Sequence, residues 1–157
     1  MIENAADWAE IYQLKSAYGV HYDSPDFEAL IDLFTDDAVF DAGPYGTWRG
    51  KDELRAGFLE NIGAPDNNFP TLHSFLNPVI SIDGDEATGT WYLLDFALTG
   101  GPELPALRAT GVYDERYRRE DGRWRIAFTK LTLLWNSDVG RMRPGEAVKL
   151  EFHANAD

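Results

Sequence analysis

The sequence contains no cysteine and few basic residues. Without thiols, a disulfide framework, a thiol nucleophile and a thiolate metal site are all excluded. Only 14 Lys and Arg residues stand against 27 Asp and Glu residues, which gives a formal net charge of -13. Nucleic acids and anionic membrane surfaces are normally held by clusters of basic side chains, so neither is expected as a partner.

Long apolar runs are absent as well. No segment stays apolar long enough to cross a bilayer, and the acidic N-terminus, Met1–Asp7, lacks the basic and apolar regions of a secretion signal. The chain of 157 residues shows no internal repeat and no linker. We therefore expect one cytoplasmic domain over residues 1–157, in which residues 136–157 form a weakly patterned C-terminal tail.

Several motifs of catalytic or cofactor chemistry are missing. There is no Gly-rich phosphate loop, no G-x-S-x-G elbow and no plausible serine triad. His21 and Asp23 stand close together, but neighbouring helical positions diverge in direction, so they do not form a metal site. The sequence predicts neither a metal nor a cofactor.

Aromatic and aliphatic residues are abundant. Hydrophobic residues make up 44% of the chain and aromatic residues 13%. This composition is too apolar for a disordered chain, and it is rich enough in ring side chains to line a cavity as well as to fill a core. A hydrophobic small molecule is the expected ligand.

Hydrophobic spacing predicts three helices in the first part of the chain. The first covers residues 5–22, and its apolar residues recur at steps of three and four: Trp8, Ile11, Tyr12, Leu14, Tyr18 and Tyr22. Ser24 is the expected N-cap of the second helix, which carries Phe27 to Phe34. A third helix is expected after Gly50, with Leu54, Phe58 and Ile62 on one face.

The rest of the chain changes to the period of β-strands. Two short strands flank Gly43–Gly46, and four long strands follow, over residues 71–82, 86–98, 108–119 and 123–135. Turn residues at 83–85 and 120–122 predict two hairpins. Three helices followed by an antiparallel meander indicate an α+β domain in which a curved sheet wraps around the helices and leaves an internal pocket.

Asp23 is the first candidate for chemistry. It lies at the predicted end of the first helix, where the negative pole of the helix dipole disfavours a charged carboxylate, so it is a candidate base. Tyr18 lies on the same inward stripe and is within reach of it. The alternative is that Asp23 is an ordinary turn aspartate before the second helix.

His73 is the second candidate. Alternation along its strand predicts one face of mixed polarity and one apolar face. The mixed face holds His73, Phe75, Asn77 and Val79. The apolar face holds Leu72, Leu76, Ile80 and Ile82. If the mixed face lines a pocket, His73 and Asn77 are its polar groups. The alternative is a satisfied half-buried histidine or an edge residue.

The later strands supply candidates for substrate binding. Asp95 shares a face with Trp91 and Leu93, where a carboxylate is costly to bury unless it is paired, although it could equally be a strand-end residue near solvent. On the last strand Thr129 and Leu133 belong to a largely apolar face. The predicted substrate contacts are Asn77, Asp95, Trp91, Tyr22, Thr129 and Leu133.

Six motifs run in order from the first helix to the last strand. They are Leu14-Lys-Ser-Ala-Tyr18 with Asp23, Leu33-Phe-Thr-Asp-Asp-Ala-Val-Phe-Asp41, Gly46-Thr-Trp-Arg-Gly-Lys51, Leu72-His73 with Asn77, Ile80-Ser-Ile-Asp-Gly-Asp85 and Tyr117-Arg-Arg-Glu-Asp-Gly-Arg-Trp-Arg-Ile126. Together they resemble the SnoaL-like branch of the NTF2-like superfamily. The resemblance implies a cone of three N-terminal helices packed in a curved, mostly antiparallel sheet around a pocket. It also implies a homo-oligomer, either a dimer or a trimer.

Within that superfamily the chain is most similar to small cofactor-independent lyases, namely scytalone dehydratase, bile acid 7α-dehydratase and hexachlorocyclohexane dehydrochlorinase. The resemblance implies that His73 removes a proton from carbon and that Asp23 orients the imidazole and stabilises its cation. Tyr18 matches a tyrosine of the dehydratases, and Asp95 matches a further pocket aspartate of the bile acid enzyme.

The chain also departs from these relatives. Two of them carry an arginine on the inward face of the last strand, where this chain has Thr129 and Leu133, so the pocket is expected to keep a base and lack a cation. Leu76 replaces another histidine of the bile acid enzyme, which argues against the same substrate. We expect a dehydratase-type lyase or an isomerase that acts on a hydrophobic cyclic molecule; the alternatives are a polyketide-type cyclase or aldol catalyst and a non-catalytic binding module.

Overall fold

The computed structural model describes residues 4–24, 26–62, 71–98, 106–137 and 140–141. The helices are α1 (Ala5–Asp23), α2 (Phe27–Asp32) and α3 (Gly50–Ile62), with a 3-10 turn at Gly43–Tyr45. The strands are β1 (Phe34–Asp41), β2 (Thr47–Arg49), β3 (Thr71–Asp83), β4 (Glu86–Ala97), β5 (Ala106–Glu120), β6 (Arg123–Asn136) and β7 (Gly140–Arg141). Most of the predicted tail lies outside the described residues.

The fold is built on one curved, open sheet. Its strand order is β2-β1-β6-β5-β4-β3, and β7 pairs with β6. The β1 and β6 strands are parallel, and all other neighbours are antiparallel. Gly84 and Gly122 have φ values of 58° and 75°, which suits the tight turns predicted between the long strands. The predicted α+β cone is confirmed.

The buried face of α1 differs from the predicted one. Trp8 and Tyr12 were expected inside but are 38% and 41% exposed. Lys15 and Gly19 are buried instead. Gly19 is needed because a Cβ there would lie 2.9 Å from the ring of Phe75, so the glycine allows the helix to approach β3 closely.

The beginning of α2 is also corrected. Asp26, not Ser24, is the N-cap, because its side chain accepts a hydrogen bond of 3.2 Å from the Ala29 N–H. Ser24 instead ends α1, where its N–H donates to the Val20 carbonyl over 3.0 Å. Phe34 was expected in the helix but opens β1, where it is still fully buried.

A bulge in β3 breaks the predicted alternation. The pairing of β3 with β4 shifts register between Leu76 and Val79, and Asn77 adopts a left-handed φ of 50°. His73 and Phe75 keep the inward face, whereas Asn77 and Val79 are exposed. Beyond the bulge the strand resumes with Ile80 packed against the core.

Within the described part of the chain, none of the helices combines the length and the apolarity needed to cross a membrane.

Candidate active site

A cavity of about 230 Å³ lies between the helices and the inner face of the sheet. Its lining is mainly aromatic and aliphatic, with a few polar groups. The lining residues are Tyr18, Tyr22, Phe40, Ala42, Tyr45, Trp48, Phe58, His73, Leu93, Asp95, Arg108, Ala109, Tyr113, Leu131, Leu133 and Asn136. An apolar hollow with a small number of convergent polar groups is typical of a small-molecule site.

The structure brings Asp23 and His73 together. Asp23 is the last residue of α1, and its Oδ1 lies 2.6 Å from His73 Nδ1. Its Oδ2 accepts the backbone N–H of His73 over 2.9 Å, and the Thr71 hydroxyl donates to Oδ1 over 2.9 Å. Three hydrogen bonds therefore fix the carboxylate against the first residues of β3.

This contact decides which nitrogen of His73 can take a proton. Because Nδ1 faces a carboxylate, the neutral imidazole carries its proton on Nδ1 and has its lone pair on Nε2. Tyr22 packs its ring against the imidazole, with 4.5 Å between ring centroids, and so restrains the ring plane. Nε2 lies 3.9 Å from Asp95 Oδ1, which is beyond hydrogen-bonding distance.

Asp95 lies directly opposite His73 in the pairing of β3 with β4. Its side chain is only 6% exposed. One oxygen, Oδ2, accepts hydrogen bonds from Arg108 Nε at 2.8 Å and from Arg108 Nη2 at 2.6 Å. The other oxygen, Oδ1, has no hydrogen-bond partner among the residues that the structure describes. Arg108 thus supplies the partner that the sequence required for a buried carboxylate at this position.

The expectation that the pocket lacks a cation is wrong, because Arg108 supplies one from β5 rather than from the last strand. Asp95 pairs with Ala109 and Phe96 pairs with Leu107, so Arg108 is the extra residue of a β-bulge. The bulge lets Arg108 and its neighbour Ala109 both line the cavity, whereas strict alternation would put them on opposite faces. The available signal was an arginine within the mainly apolar first half of this strand, residues 106–113.

Three tyrosines of the lining are held in the neutral form. Burial raises the pKa of Tyr18 well above its ordinary value, and it also raises the pKa of Tyr22 and of Tyr113. Each phenol therefore keeps its proton, which a hydrogen-bond donor requires. Tyr18, Tyr22 and Leu133 lie on the cavity as the sequence predicted.

Three predicted substrate contacts do not line the cavity. Asn77 is exposed because of the bulge in β3. Trp91 and Thr129 are buried behind the cavity, where Trp91 Nε1 donates to the Tyr117 hydroxyl over 2.8 Å and the Thr129 hydroxyl donates to Glu115 Oε1 over 3.2 Å. The assignment of these three residues to substrate binding is therefore corrected.

Trp91 and Thr129 belong to a buried polar cluster that the sequence did not reveal. At its centre Lys15 Nζ lies 2.7 Å from Glu115 Oε1, and Tyr117 donates to Glu115 Oε2. The Lys15 ammonium also lies 3.7 Å from the centroid of the Tyr113 ring. Burial lowers the pKa of Lys15, while the charge of Glu115 opposes that change. The cluster therefore packs against the Tyr113 ring on the side away from the cavity that this ring lines.

Among the described residues, no three or more His, Cys, Asp or Glu side chains are grouped so that they could hold a metal ion.

Family comparison agrees with this architecture. The profile of the SnoaL-like domain matches residues 3–130. The chain belongs to the SnoaL-like family. No curated protein matches the sequence.

Several solved structures resemble the chain in fold. A protein of unknown function with a cystatin-like fold from Nostoc punctiforme is 25% identical, with a TM-score of 0.72 over 85% of this chain and 95% of that one. A protein of unknown function from Mycobacterium tuberculosis is also 25% identical, with a TM-score of 0.73 over 91% and 83%. A putative scytalone dehydratase from Novosphingobium aromaticivorans is 20% identical, with a TM-score of 0.75 over 92% and 97%, which shows a shared fold.

Proposed function

We propose that this SnoaL-like protein is a cofactor-independent lyase of the dehydratase type, or a related isomerase, that acts on a hydrophobic cyclic molecule. The observation that supports the proposal is the contact of 2.6 Å between His73 Nδ1 and Asp23 Oδ1. It leaves Nε2 as a proton acceptor beside a cavity whose lining residues are mainly aromatic and aliphatic.

The proposed reaction begins with removal of a proton from a carbon next to a carbonyl group. His73 Nε2 takes the proton, and Asp23 stabilises the resulting imidazolium, while the electron pair of the broken C–H bond forms an enolate. A neutral phenol, such as that of Tyr18, donates a hydrogen bond to the enolate oxygen. The enolate then expels a β-hydroxyl group, which takes a proton from the imidazolium and leaves as water, so that a C=C bond forms and His73 returns to its starting state.

The isomerase alternative shares the first step and differs only in where the proton returns. A polyketide-type cyclase or aldol catalyst would also begin with an enolate but would form a C–C bond. Positioned proton transfer is worth roughly 10²–10⁴-fold in rate. Loss of the base should therefore be easy to detect in any of these reactions.

The proposal is tested with 3-hydroxy-1-tetralone, a two-ring β-hydroxy ketone that yields 1-naphthol and water on elimination. The formation of 1-naphthol is followed by absorbance for the wild type, His73→Ala, Asp23→Asn and a matched control, His21→Ala. Replacing His73 should slow the reaction by about 10²-fold or more, because the proton acceptor is lost. Asp23→Asn should also be slower, and His21→Ala should match the wild type.

Proton abstraction alone is measured by deuterium exchange at C2 of 1-tetralone. Exchange without elimination would favour the isomerase or aldol alternative. Full activity of His73→Ala would remove the dyad from the mechanism. A wild type that catalyses neither reaction would contradict the lyase proposal and favour the non-catalytic binding module.

We also propose a homodimer or homotrimer, which the family resemblance implies. Light scattering coupled to size-exclusion chromatography tests this: a mass of two or three times 17.7 kDa is expected, and a monomer would contradict it.

A further inference from the structure

We infer that the cavity holds its ligand through a hydroxyl group that donates a hydrogen bond to Asp95 Oδ1, and that the ligand is an uncharged molecule of one or two rings. The inference rests on the proposed function for the identity of the cavity as the substrate site. It names the class of molecule that the site accepts and the atom that selects it.

The first support is the state of the two Asp95 oxygens. Oδ2 receives two N–H groups of Arg108, which fixes the plane of the carboxylate. Oδ1 is buried and has no partner among the described residues. A buried acceptor without a hydrogen bond is costly, so the site is completed when a donor reaches this oxygen.

The second support is the group that faces Asp95. His73 Nε2 lies 3.9 Å from Oδ1, and the contact of Nδ1 with Asp23 makes Nε2 an acceptor too. Two acceptors this close together favour a ligand group that carries a hydrogen and lies beside them, and they disfavour a carbonyl or ether oxygen. A ligand hydroxyl that is hydrogen-bonded to Asp95 would also place the neighbouring carbon atoms of the ligand near the proposed base, His73.

The third support is the balance of charge. Arg108 is paired with Asp95, and a second carboxylate, Asp23, lies on the other side of His73. The charged groups of this site that belong to the described residues are thus two carboxylates and one guanidinium, in a protein of net charge -13. An anionic ligand would meet repulsion here, whereas a neutral hydroxyl would not.

The size of the cavity limits the number of rings. A dry cavity of about 150 Å³ in another protein holds one benzene molecule. The cavity of about 230 Å³ in this protein therefore suits one or two rings with small substituents. The aromatic lining provides the surface that such rings pack against.

The inference is tested by binding, without turnover. Wild-type protein is titrated by calorimetry with three probes of one ring skeleton: 2-naphthol, 2-methoxynaphthalene and 2-naphthoate. Only 2-naphthol can donate a hydrogen bond to Asp95, so it should bind at least about 10-fold more tightly than 2-methoxynaphthalene, and 2-naphthoate should bind most weakly. Equal binding of the first two probes, tighter binding of 2-naphthoate, or binding of none of them would overturn the inference.

Two variants show which residue selects the hydroxyl. Asp95→Leu with Arg108→Leu removes the ion pair as a unit, which avoids a lone buried charge and lets the protein fold. In this double variant the preference for 2-naphthol should fall to about threefold or less. His73→Phe should keep the preference, because the hydroxyl is bound by Asp95. Loss of the preference in His73→Phe together with its survival in the double variant would assign the hydroxyl to His73 and overturn the inference.

The two proposals fail separately. If 2-naphthol is preferred but 3-hydroxy-1-tetralone is not converted, the binding inference stands and the lyase proposal fails. If the tetralone is converted with dependence on His73 but the probes show no hydroxyl preference, the lyase proposal stands and the inference about Asp95 fails.

Discussion

Lys15 Nζ lies 2.7 Å from Glu115 Oε1 inside the protein, and both side chains are fully buried. One residue comes from α1 and the other from β5, so the pair ties the helix to the sheet behind the cavity. Replacing Lys15 by Met would leave the charge of Glu115 without its cation in the core. We expect Lys15→Met to lower the free energy of unfolding by about 3–5 kcal/mol, measured by urea denaturation.

A double variant separates the lost ion pair from altered packing. Lys15→Met combined with Glu115→Gln removes both charges and keeps one acceptor oxygen for the two hydroxyls, of Tyr117 and Thr129, that donate to Glu115. It should recover a large part of the lost stability. If Lys15→Met alone denatures at the same urea concentration as the wild type, the buried Lys15–Glu115 ion pair does not stabilise the folded protein.

Gly57 on α3 faces the indole of Trp48, which lines the cavity. In an exposed helix, Gly→Ala stabilises by about 1 kcal/mol. Here a Cβ would overlap the indole ring, which is itself stacked on Phe40 at 5.5 Å and packed against Phe58 at 5.4 Å. We therefore expect Gly57→Ala to lower the free energy of unfolding by about 1–3 kcal/mol in thermal or urea denaturation.

The control is the same Gly57→Ala substitution made in the Trp48→Ala variant. Once the indole is gone, adding Gly57→Ala should be neutral or stabilising, because only the helix propensity remains. The packing argument fails if Gly57→Ala has the same effect in both backgrounds.

Asp7 on α1 links the helix to β5 and β6. From these contacts we expect the stability of the protein to depend on pH. Its Oδ1 receives hydrogen bonds from Arg119 and, at 3.2 Å, from Trp124, which together lower its pKa in the folded protein below the ordinary value of 3.8. In acid the unfolded chain therefore takes up this proton at a higher pH than the folded chain does. The stability that Asp7 contributes is complete above about pH 4 and is lost as the pH falls through the folded pKa.

Asp7→Asn should therefore reduce the slope of unfolding free energy against pH below pH 4 and leave the pH dependence near neutrality unchanged. Urea denaturation at a series of pH values measures this. Asp52→Asn is the control, because the Asp52 side chain is fully exposed. Equal slopes for Asp7→Asn and the wild type in acid would refute the assignment.

Regular patterns made much of the fold predictable from sequence. The steps of three and four along α1 and the turn residues between the long strands predicted where the helix and the hairpins lie, although α1 buries a partly different face. The sequence also singled out Asp23 and His73, although they are 50 residues apart. Their proximity followed from the family resemblance, because spacing along a chain does not determine distance in space.

Two kinds of feature could not be predicted from the sequence. Bulges shift the register of a strand, and so Arg108 turned into the cavity while Asn77 turned out of it. The pairing of Lys15 with Glu115 was hidden for another reason. Each is a charged residue that local patterning assigns to the surface, and only the tertiary fold brings together two groups 100 residues apart.

In the proposed mechanism, Asp23 holds the proton of neutral His73 on Nδ1 and leaves Nε2 as the base. Two-bond ¹H–¹⁵N correlation spectra of imidazole-labelled protein measure this tautomer directly, and comparison with His73→Gln assigns its signals among the three histidines. We expect a protonated Nδ1 and an unprotonated Nε2 for the neutral ring in the wild type, and loss of that pattern in Asp23→Ala. A proton on Nε2 in the neutral wild-type ring would contradict it.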